Sequence, residues 1–217
     1  PSRRKWRKEK ATLLNNIGSA LAEQNLDERA TGYFERAREL RQEIVVFDPN
    51  NVSWRSDLAN SEYNRAVNAI KKGDVAEGWR RADDCLEQMG IMLGSEPDNA
   101  SLHQNLQDYV RELSIAFREN GGLSESAKLY EWAEKLFADL AGLAEERESN
   151  LFRRAEVLKI AGERRADLGN LQSSTAHFQN GIDVMLELYR ADPDDPKRRY
   201  LLASAIANRA WVSEKQG

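Results

Sequence analysis

The residues best suited to catalysis or metal binding are few and far apart. The chain of 217 residues contains two histidines, His103 and His177, and one cysteine, Cys85. No two of these three lie at a spacing typical of metal ligands. We therefore predict no metal site and no cofactor. We expect His103 to be solvated, His177 to pack or cap within a helix, and Cys85 to be a small buried residue.

Acidic residues are common, but their arrangement does not indicate an active site. The adjacent pairs are Asp83-Asp84, Glu145-Glu146 and Asp194-Asp195. Neighbours on a helix point about 100° apart, so adjacency in sequence does not make an acid–base pair. Gly121-Gly122 is isolated and matches neither a phosphate loop nor a dinucleotide fingerprint. The sequence therefore predicts no catalytic residues and a protein that is not an enzyme.

The composition favours an all-α protein. Hydrophobic residues make up 41% and charged residues 31% of the chain, and there are only 5 prolines. Ala, Leu, Glu, Arg and Lys recur throughout, and these are strong helix formers. No apolar run approaches the ~20 residues of a membrane span, and no signal peptide is visible. With a single cysteine, the chain suits a reducing compartment, so we expect a cytoplasmic protein.

The charge is balanced overall but uneven along the chain. The net charge is −4, which gives no general attraction to nucleic acid or anionic membranes. Residues 3–10 are nevertheless strongly basic, with six cationic residues and one glutamate. Such a run is more often a solvated helical turn than a binding site. A weak nucleic-acid contact through this N-terminus remains an alternative.

Proline-containing links show an internal repeat. Asp48-Pro49-Asn50-Asn51 is echoed by Glu96-Pro97-Asp98-Asn99 and by Asp192-Pro193-Asp194-Asp195. Pro97 follows Pro49 by 48 residues, and Pro193 follows Pro97 by twice that number. The missing member falls at Glu145, where the proline has been lost. Because the residue before a proline is pushed out of helical geometry, we expect helices to end at Asp48, Glu96 and Asp192.

The same period appears at other positions. A column of small residues contains Gly18, Ala66, Ser114, Gly162 and Ala210. A column of turn residues contains Asn25, Gly73, Gly121 and Gly169. An aromatic column contains Phe34, Tyr130 and Phe178, with Ala82 as the exception. Small residues let two helices approach, and an aromatic ring opposite fills the space between them. Trp6 and Trp54 share a further column and are expected in the core.

We therefore predict an all-α, right-handed α-solenoid of helical hairpins with about four and a half repeats and nine helices. The repeats span about 4–51, 52–99, 100–147 and 148–195, and a terminal helix spans 196–217. They are expected to form a single domain over 1–217, because each hairpin buries its apolar face against its neighbours. The terminal helix carries too many apolar residues for one face. We expect either that the chain continues beyond it, which we favour, or that it meets another copy.

The first repeat resembles the tetratricopeptide repeat (TPR). The residues that carry the resemblance are Leu14, Ile17, Gly18 and Leu21 in the first helix and Ala30, Phe34 and Ala37 in the second. The usual TPR unit has about 34 residues, so this one is longer. The Asp-Pro-x-Asn link, with Trp54 soon after it, resembles long repeats of bacterial multidomain signalling proteins. That resemblance implies a sensor or partner-recruiting region fused to an effector domain.

The TPR resemblance also implies a concave groove lined by the first helix of each repeat. The residues at the binding positions are Asn15, Ser19, Tyr63, Asn64, Arg111, Arg118, Lys159 and Trp211. The cations among them favour an acidic or carboxylate-bearing peptide. They equally fit solvated helix faces paired with Glu112 and Glu163. Of the clamp by which some TPR proteins bind chaperone tails, only Asn64 matches, so chaperone binding is not expected.

The sequence thus predicts a protein–protein or peptide-binding scaffold without chemistry of its own. Two alternatives stay open beside it. One is a regulatory domain that binds a small signalling peptide or ligand, and the other is a nucleic-acid contact through residues 3–10.

Overall fold

All the regular elements in the described part of the chain are helices. The computed structural model describes residues 2–143 and 147–216, and the expected position of the lost proline, Glu145, lies outside them. The helices are α1 (Ser2–Glu23), α2 (Asp27–Phe47), α3 (Val52–Lys71), α4 (Val75–Ser95), α5 (Ala100–Glu119), α6 (Leu123–Ala141), α7 (Arg147–Asp167), α8 (Leu171–Ala191) and α9 (Pro196–Gln216). The predicted all-α class is confirmed.

Two kinds of helix, called first and second helices, alternate along the chain. The second helices α2, α4, α6 and α8 begin 48 residues apart, at positions 27, 75, 123 and 171. The strongest packing joins α1 to α2, α3 to α4 and α7 to α8. The chain is therefore an all-α helical repeat, as the columns of small and aromatic residues predicted.

The chain divides into two compact units, Pro1–Gly121 and Gly122–Gly217. The N-terminal unit contains α1 to α5. Its fully buried large side chains include Ile70, Leu86, Met89 and Phe117. The C-terminal unit contains α6 to α9, and α8 packs on both α7 and α9.

The turns that follow the first helices match the predicted column. Asn25, Gly73, Gly121 and Gly169 all adopt a left-handed backbone, with φ of 58°, 81°, 84° and 73°. This conformation closes a helix, and glycine adopts it without a steric penalty. The second helices α2, α4 and α8 end at Asp48, Glu96 and Asp192, as expected.

Glycines in the small column allow aromatic rings to approach the first helices. A Cβ atom placed on Gly18 would lie 2.6 Å from Cε1 of Phe34, and one on Gly162 would lie 2.9 Å from Cε1 of Phe178. Any side chain there would displace a buried ring. The predicted pairing of small and aromatic columns is confirmed at these two hairpins.

A buried cluster of charges lies among α2, α3 and α4. The carboxylate of Glu62, whose residue is only 2% exposed, lies 2.8 Å from Arg38, 3.0 Å from Arg65 and 3.6 Å from Arg81. Arg65 and Arg81 are themselves buried. A buried charge is tolerated only with close partners of opposite sign. Glu62 therefore holds three arginines together inside the N-terminal unit.

Two expectations about single residues are wrong, and one is confirmed. His103 is buried rather than solvated, because its Nε2 lies 2.6 Å from the carbonyl oxygen of Pro97 and ties α5 to the link before it. Trp6 is 57% exposed rather than in the core, and Nζ of Lys10 lies 4.8 Å from the centroid of its ring. Cys85 is fully buried, as predicted.

Candidate partner-binding surface

Asparagine side chains join α1 and α3 on one face of the N-terminal unit. Oδ1 of Asn15 accepts a hydrogen bond of 3.2 Å from Nδ2 of Asn64. The same Nδ2 lies 3.2 Å from Oδ1 of Asn60, one turn earlier on α3. Asn15 is buried and Asn64 is half-buried. The two amides predicted as binding residues are therefore fixed beside each other at the edge of solvent.

Arg41 of α2 supports this amide pair from the interior. Its Nη1 donates to Oδ1 of Asn15 at 3.5 Å and also to Oγ of Ser61. Burial lowers the pKa of Arg41, and the opposing influence of Asp57 is smaller. A buried arginine bound in this way restricts the rotamers that Asn15 can adopt.

Two tyrosines join α3 to α5 on the same face. The rings of Tyr63 and Tyr109 stack with centroids 4.8 Å apart and an interplanar angle of 25°. The hydroxyl of Tyr63 donates a hydrogen bond to Oε2 of Glu112. Burial, followed by this bond to a carboxylate, raises the pKa of Tyr63 above its ordinary value. Burial also raises the pKa of Tyr109. Both phenols are therefore neutral groups with fixed orientation.

Two carboxylates of α5 lie beside the guanidinium group of Arg111 on this face. Nη2 of Arg111 lies 3.0 Å from Oδ1 of Asp108 and 3.9 Å from Oε1 of Glu112. The Arg111 side chain is 62% exposed, so these pairs are solvated and weak. We call the surface formed by Asn15, Asn64, Tyr63, Tyr109 and Arg111 the first-helix surface.

The other two predicted residues of this unit lie further along the same helices. Ser19 is half-buried on α1, one turn beyond Asn15, and Arg118 is exposed in the last turn of α5. In the structure Asn15 and Asn64 therefore contact each other, and Tyr63 contacts α5. It places Ser19 and Arg118 toward the helix ends.

In the C-terminal unit, the predicted residues lie on α7 and α9. Nζ of Lys159 lies 3.8 Å from Oε1 of Glu163, in the pairing that the solvated-face alternative expects. Lys159 also lines a cavity of 310 Å³ together with Ile160, Tyr200 and Leu201. This cavity is lined by α7, α8 and α9, and beside the Lys159 cation and the Tyr200 phenol it contains the carboxylate of Glu156, a serine hydroxyl and apolar side chains.

Trp211 lies on α9 and is 48% exposed. Nζ of Lys215 lies 4.2 Å from the centroid of its ring, a cation–π contact. Sequence reasoning identified Trp211 but not Tyr200. One face of α9 is formed by residues at spacings of four, three and four, namely Tyr200, Ser204, Ala207 and Trp211. This spacing could have predicted that Tyr200 lies on the same face as Trp211.

The sequence signal for Tyr109 was weaker. Its partner Tyr63 lies 46 residues earlier, two short of the repeat period, so the column comparison does not pair them. The stack depends on how α3 and α5 pack against each other. Only the tertiary structure supplies that information.

The basic N-terminal run is largely engaged within the chain. Arg7 lies 3.1 Å from Glu43 of α2, and Lys8 lies 3.2 Å from Asp57 of α3. Arg4 lies over the ring of Phe47, with 5.1 Å between its Cζ and the ring centroid. Through these contacts the basic residues hold α1 against α2 and α3.

Within the described residues, no group of three or more His, Cys, Asp or Glu side chains has a metal-binding arrangement. None of the helices in residues 2–143 and 147–216 is both long and apolar enough to cross a membrane.

Comparison with known proteins shows similarity in structure only. No protein-family model matches the chain, and no curated protein matches it. Among solved structures, the chain is similar to a de novo designed helical repeat protein, with 12% identity, a TM-score of 0.45, and coverage of 98% of this chain and 96% of that one. It is also similar to nearly identical TPR-like repeats of the kinesin light chain type from Podospora anserina. That match has 18% identity, a TM-score of 0.36, and coverage of 91% and 98%. At these similarities neither protein bears on what this chain binds.

Proposed function

We propose that the chain is a scaffold that binds a peptide segment of a partner protein on the first helices of its repeats. The observation that carries the proposal is the fixed set of polar groups on the first-helix surface. The Asn15–Asn64 amide pair and the Tyr63–Tyr109 stack are held in place by hydrogen bonds and ring packing. Groups that are already ordered lose little entropy when a ligand binds.

The chemistry of this surface suits an extended or helical peptide. Amide side chains can donate to and accept from a peptide backbone, and stacked phenol rings offer apolar area with little rotamer entropy. The exposed Arg111 can exchange its solvated pair with Asp108 for a carboxylate of the ligand. Lys159, beside the cavity of the C-terminal unit, can do the same there. We therefore propose a ligand with acidic side chains.

A selection from a random peptide library, displayed on phage, tests the proposal without requiring that the natural partner be identified first. Enriched peptides are resynthesised, and their affinities for the wild-type chain are measured by fluorescence anisotropy. The test variant is Arg111→Glu/Lys159→Glu. The matched control is Arg36→Glu/Lys135→Glu, which changes two exposed cations on second helices, one in each unit, and alters net charge equally.

We expect enriched acidic peptides that the control variant binds like the wild type and the test variant binds at least tenfold more weakly. A tenfold loss corresponds to about 1.4 kcal/mol, close to the lower end of the range for a hydrogen bond to a charged group. Each single substitution then shows which unit carries the site. If both double variants retain wild-type affinity, Arg111 and Lys159 belong to solvated helix faces and the proposal is wrong. Far-UV circular dichroism confirms that each variant is folded.

A further inference from the structure

A cavity lies among α2, α3 and α4, inside the N-terminal unit. Its volume is 160 Å³, and a cavity of about 150 Å³ is large enough for one benzene molecule. All three helices contribute to its lining, with Glu35 from α2, Asn68 and Ala69 from α3, and Glu77 from α4. Since amide and carboxylate groups line it, the cavity suits a small polar ligand.

The same arrangement of three helices recurs in the C-terminal unit. Helices α6 and α8 begin at positions 123 and 171, and α2 and α4 begin at positions 27 and 75, so both pairs differ by 96 residues. The cap of the third helix is repeated as well. Asp74 accepts a hydrogen bond from the backbone N–H of Glu77, and Asn170 accepts one from that of Ser173. The two sets of helices can therefore be compared position by position.

At the equivalent place, the C-terminal unit contains an arginine side chain. Nε of Arg165 on α7 donates to Oε1 of Glu131 on α6 at 2.5 Å. Glu131 corresponds to Glu35, whereas Arg165 corresponds to Ala69. The N-terminal unit thus keeps the carboxylate but has a methyl group in place of the arginine side chain. Because Glu35 and Ala69 both line the cavity, it lies where Arg165 extends in the other unit.

The carboxylate of Glu35 is held only loosely by the chain. Its Oε1 lies 3.9 Å from Nη2 of Arg65, and Nη1 of that arginine lies closer, at 3.0 Å, to Oε2 of Glu62. Lys72 also lines the cavity, and its Nζ donates to Oγ1 of Thr31 at 2.8 Å. The Glu35 side chain is 54% exposed, so a ligand can reach it without breaking a short ion pair.

The remaining charges of the lining also favour a cation. Glu77 lies 2.7 Å from both Arg80 and Arg81, which neutralise it, while Asp74 caps α4. Among the side chains that line the cavity, three carboxylates stand against two cations, Arg65 and Lys72. An incoming cation therefore meets a net attraction, and an anion meets a net repulsion.

Asn68 adds a buried hydrogen-bond acceptor. The residue is 5% exposed, and within the described part of the chain its Oδ1 accepts no hydrogen bond. Nδ2 of Asn68 donates to Oγ1 of Thr31 at 2.9 Å, and Thr31 gives its own proton to the carbonyl oxygen of Asp27. Thr31 can therefore only accept from Asn68, and this fixes which way the amide points. A ligand with N–H groups can supply the donor that Oδ1 needs.

We propose that the cavity binds an alkylguanidinium group, in the position that the Arg165 side chain has in the C-terminal unit. The guanidinium pairs with the carboxylate of Glu35 and donates to Oδ1 of Asn68, and the alkyl chain lies along Ala69. A planar guanidinium matches the geometry of a carboxylate and carries enough N–H donors for both partners. The cavity shares no residue with the first-helix surface, so this inference is independent of the proposed function.

The probe is propylguanidinium, which reproduces the arginine side chain beyond Cα. Binding to the ¹⁵N-labelled full chain is followed by two-dimensional NMR. We expect saturable shifts of the backbone N–H signals of Asn68 and Ala69. Propylurea has the same shape without the charge, and acetate carries the opposite charge. Neither should cause saturable shifts of these signals at the same concentration and ionic strength.

Two substitutions test the position of the ligand. Glu35→Gln should weaken binding at least tenfold, whereas Glu39→Gln, which neutralises an exposed carboxylate one turn further along α2, should bind like the wild type. Ala69→Arg should abolish binding, because its side chain fills the cavity as Arg165 does in the other unit. Ala203→Arg is its control, at an exposed alanine of α9. Circular dichroism establishes which variants are folded, and Glu35→Gln decides the matter if Ala69→Arg is not.

A capped tripeptide, acetyl-Gly-Arg-Gly-amide, distinguishes two sources of the guanidinium group. If it binds as tightly as propylguanidinium or more tightly, the ligand is an arginine side chain of a partner protein. If only propylguanidinium binds, the ligand is a small guanidinium compound. The inference is overturned if propylguanidinium causes no saturable shifts, or if propylurea or acetate binds equally well. It is also overturned if folded Glu35→Gln or folded Ala69→Arg keeps the wild-type affinity.

Discussion

The buried carboxylate of Glu62 offers the sharpest test of how the N-terminal unit is held together. The substitution Glu62→Gln keeps the size of the side chain but removes its charge. Arg38, Arg65 and Arg81 then lose their shared partner at 2.8, 3.0 and 3.6 Å. Arg65 and Arg81 are buried, so water cannot replace the lost carboxylate around them.

The expected cost follows from the burial of these charges. Breaking a buried ion pair by removing one partner costs about 3–5 kcal/mol, because the remaining charge stays in a poorly solvated site. Arg81 keeps Glu77 at 2.7 Å and Asp84 at 3.4 Å, which lowers the cost. The amide oxygen of glutamine also still accepts a hydrogen bond. We therefore expect Glu62→Gln to reduce the free energy of unfolding by about 3 kcal/mol.

The assay is urea-induced unfolding of the chain, followed by far-UV circular dichroism. With m of about 1–3 kcal/mol/M, a loss of about 3 kcal/mol lowers the midpoint by roughly 1–3 M for the unit that contains Glu62. The matched control is Glu9→Gln, which changes net charge equally at an exposed pair with Lys5 separated by 4.0 Å. That change should cost less than about 0.5 kcal/mol.

Equal stability of the two variants would refute the reasoning. A difference below about 1 kcal/mol would mean that Arg65 and Arg81 are solvated in the folded protein and that Glu62 is not their essential partner. A double-mutant cycle with Arg65→Met tests the pair directly. If the two residues interact as described, the cost of Glu62→Gln should shrink when Arg65 is already absent.

Two further predictions concern packing and pH. Gly18→Ala should lower the free energy of unfolding by up to about 2 kcal/mol, because overpacking against Phe34 exceeds the gain in helix propensity. At Gly32 a Cβ meets nothing within 4 Å, so Gly32→Ala should raise the free energy of unfolding by up to about 1 kcal/mol. Thermal unfolding distinguishes the two variants. Higher stability in both variants would contradict the close approach at Gly18. Because burial raises the pKa of Tyr63 and Tyr109, the folded chain keeps phenol protons that the unfolded chain releases above about pH 10. The free energy of unfolding should therefore fall as pH rises from about 9 to about 11. Urea titrations should show a smaller fall for Tyr63→Phe than for the wild type. An equal fall in the two proteins would contradict the burial of Tyr63.

Much of the fold could be predicted because its signals repeat along the chain. Prolines after the second helices, left-handed turn residues such as Gly73 and Gly169, and small residues such as Gly18 and Gly162 each have a local steric cause. Proline and glycine act through backbone geometry, which depends on near neighbours in sequence. These features can therefore be predicted without the packing of the helices.

The candidate site could be predicted only in part. The TPR resemblance implied Asn15, Tyr63 and Asn64 as binding positions. In the structure Asn15 and Asn64 are joined to each other by a hydrogen bond, and Tyr63 is joined to α5. The positions of Tyr109 and Tyr200 depend on how neighbouring helices pack. Whether these side chains bind a partner is the proposal that the peptide selection tests.

The sequence by itself determined the period, the class of fold and the ends of the helices, since all three depend on the backbone preferences of nearby residues. The tertiary structure alone decided which polar residues are buried. Glu62 stands in a column where Val110 and Leu158 are apolar, and it is stable there because arginines from three different helices meet its carboxylate. His103 is buried because the link before α5 folds back to place the Pro97 carbonyl beside it. The contacts of Glu62 and His103 depend on how separate segments pack together. The conformational preferences of nearby residues therefore do not predict them.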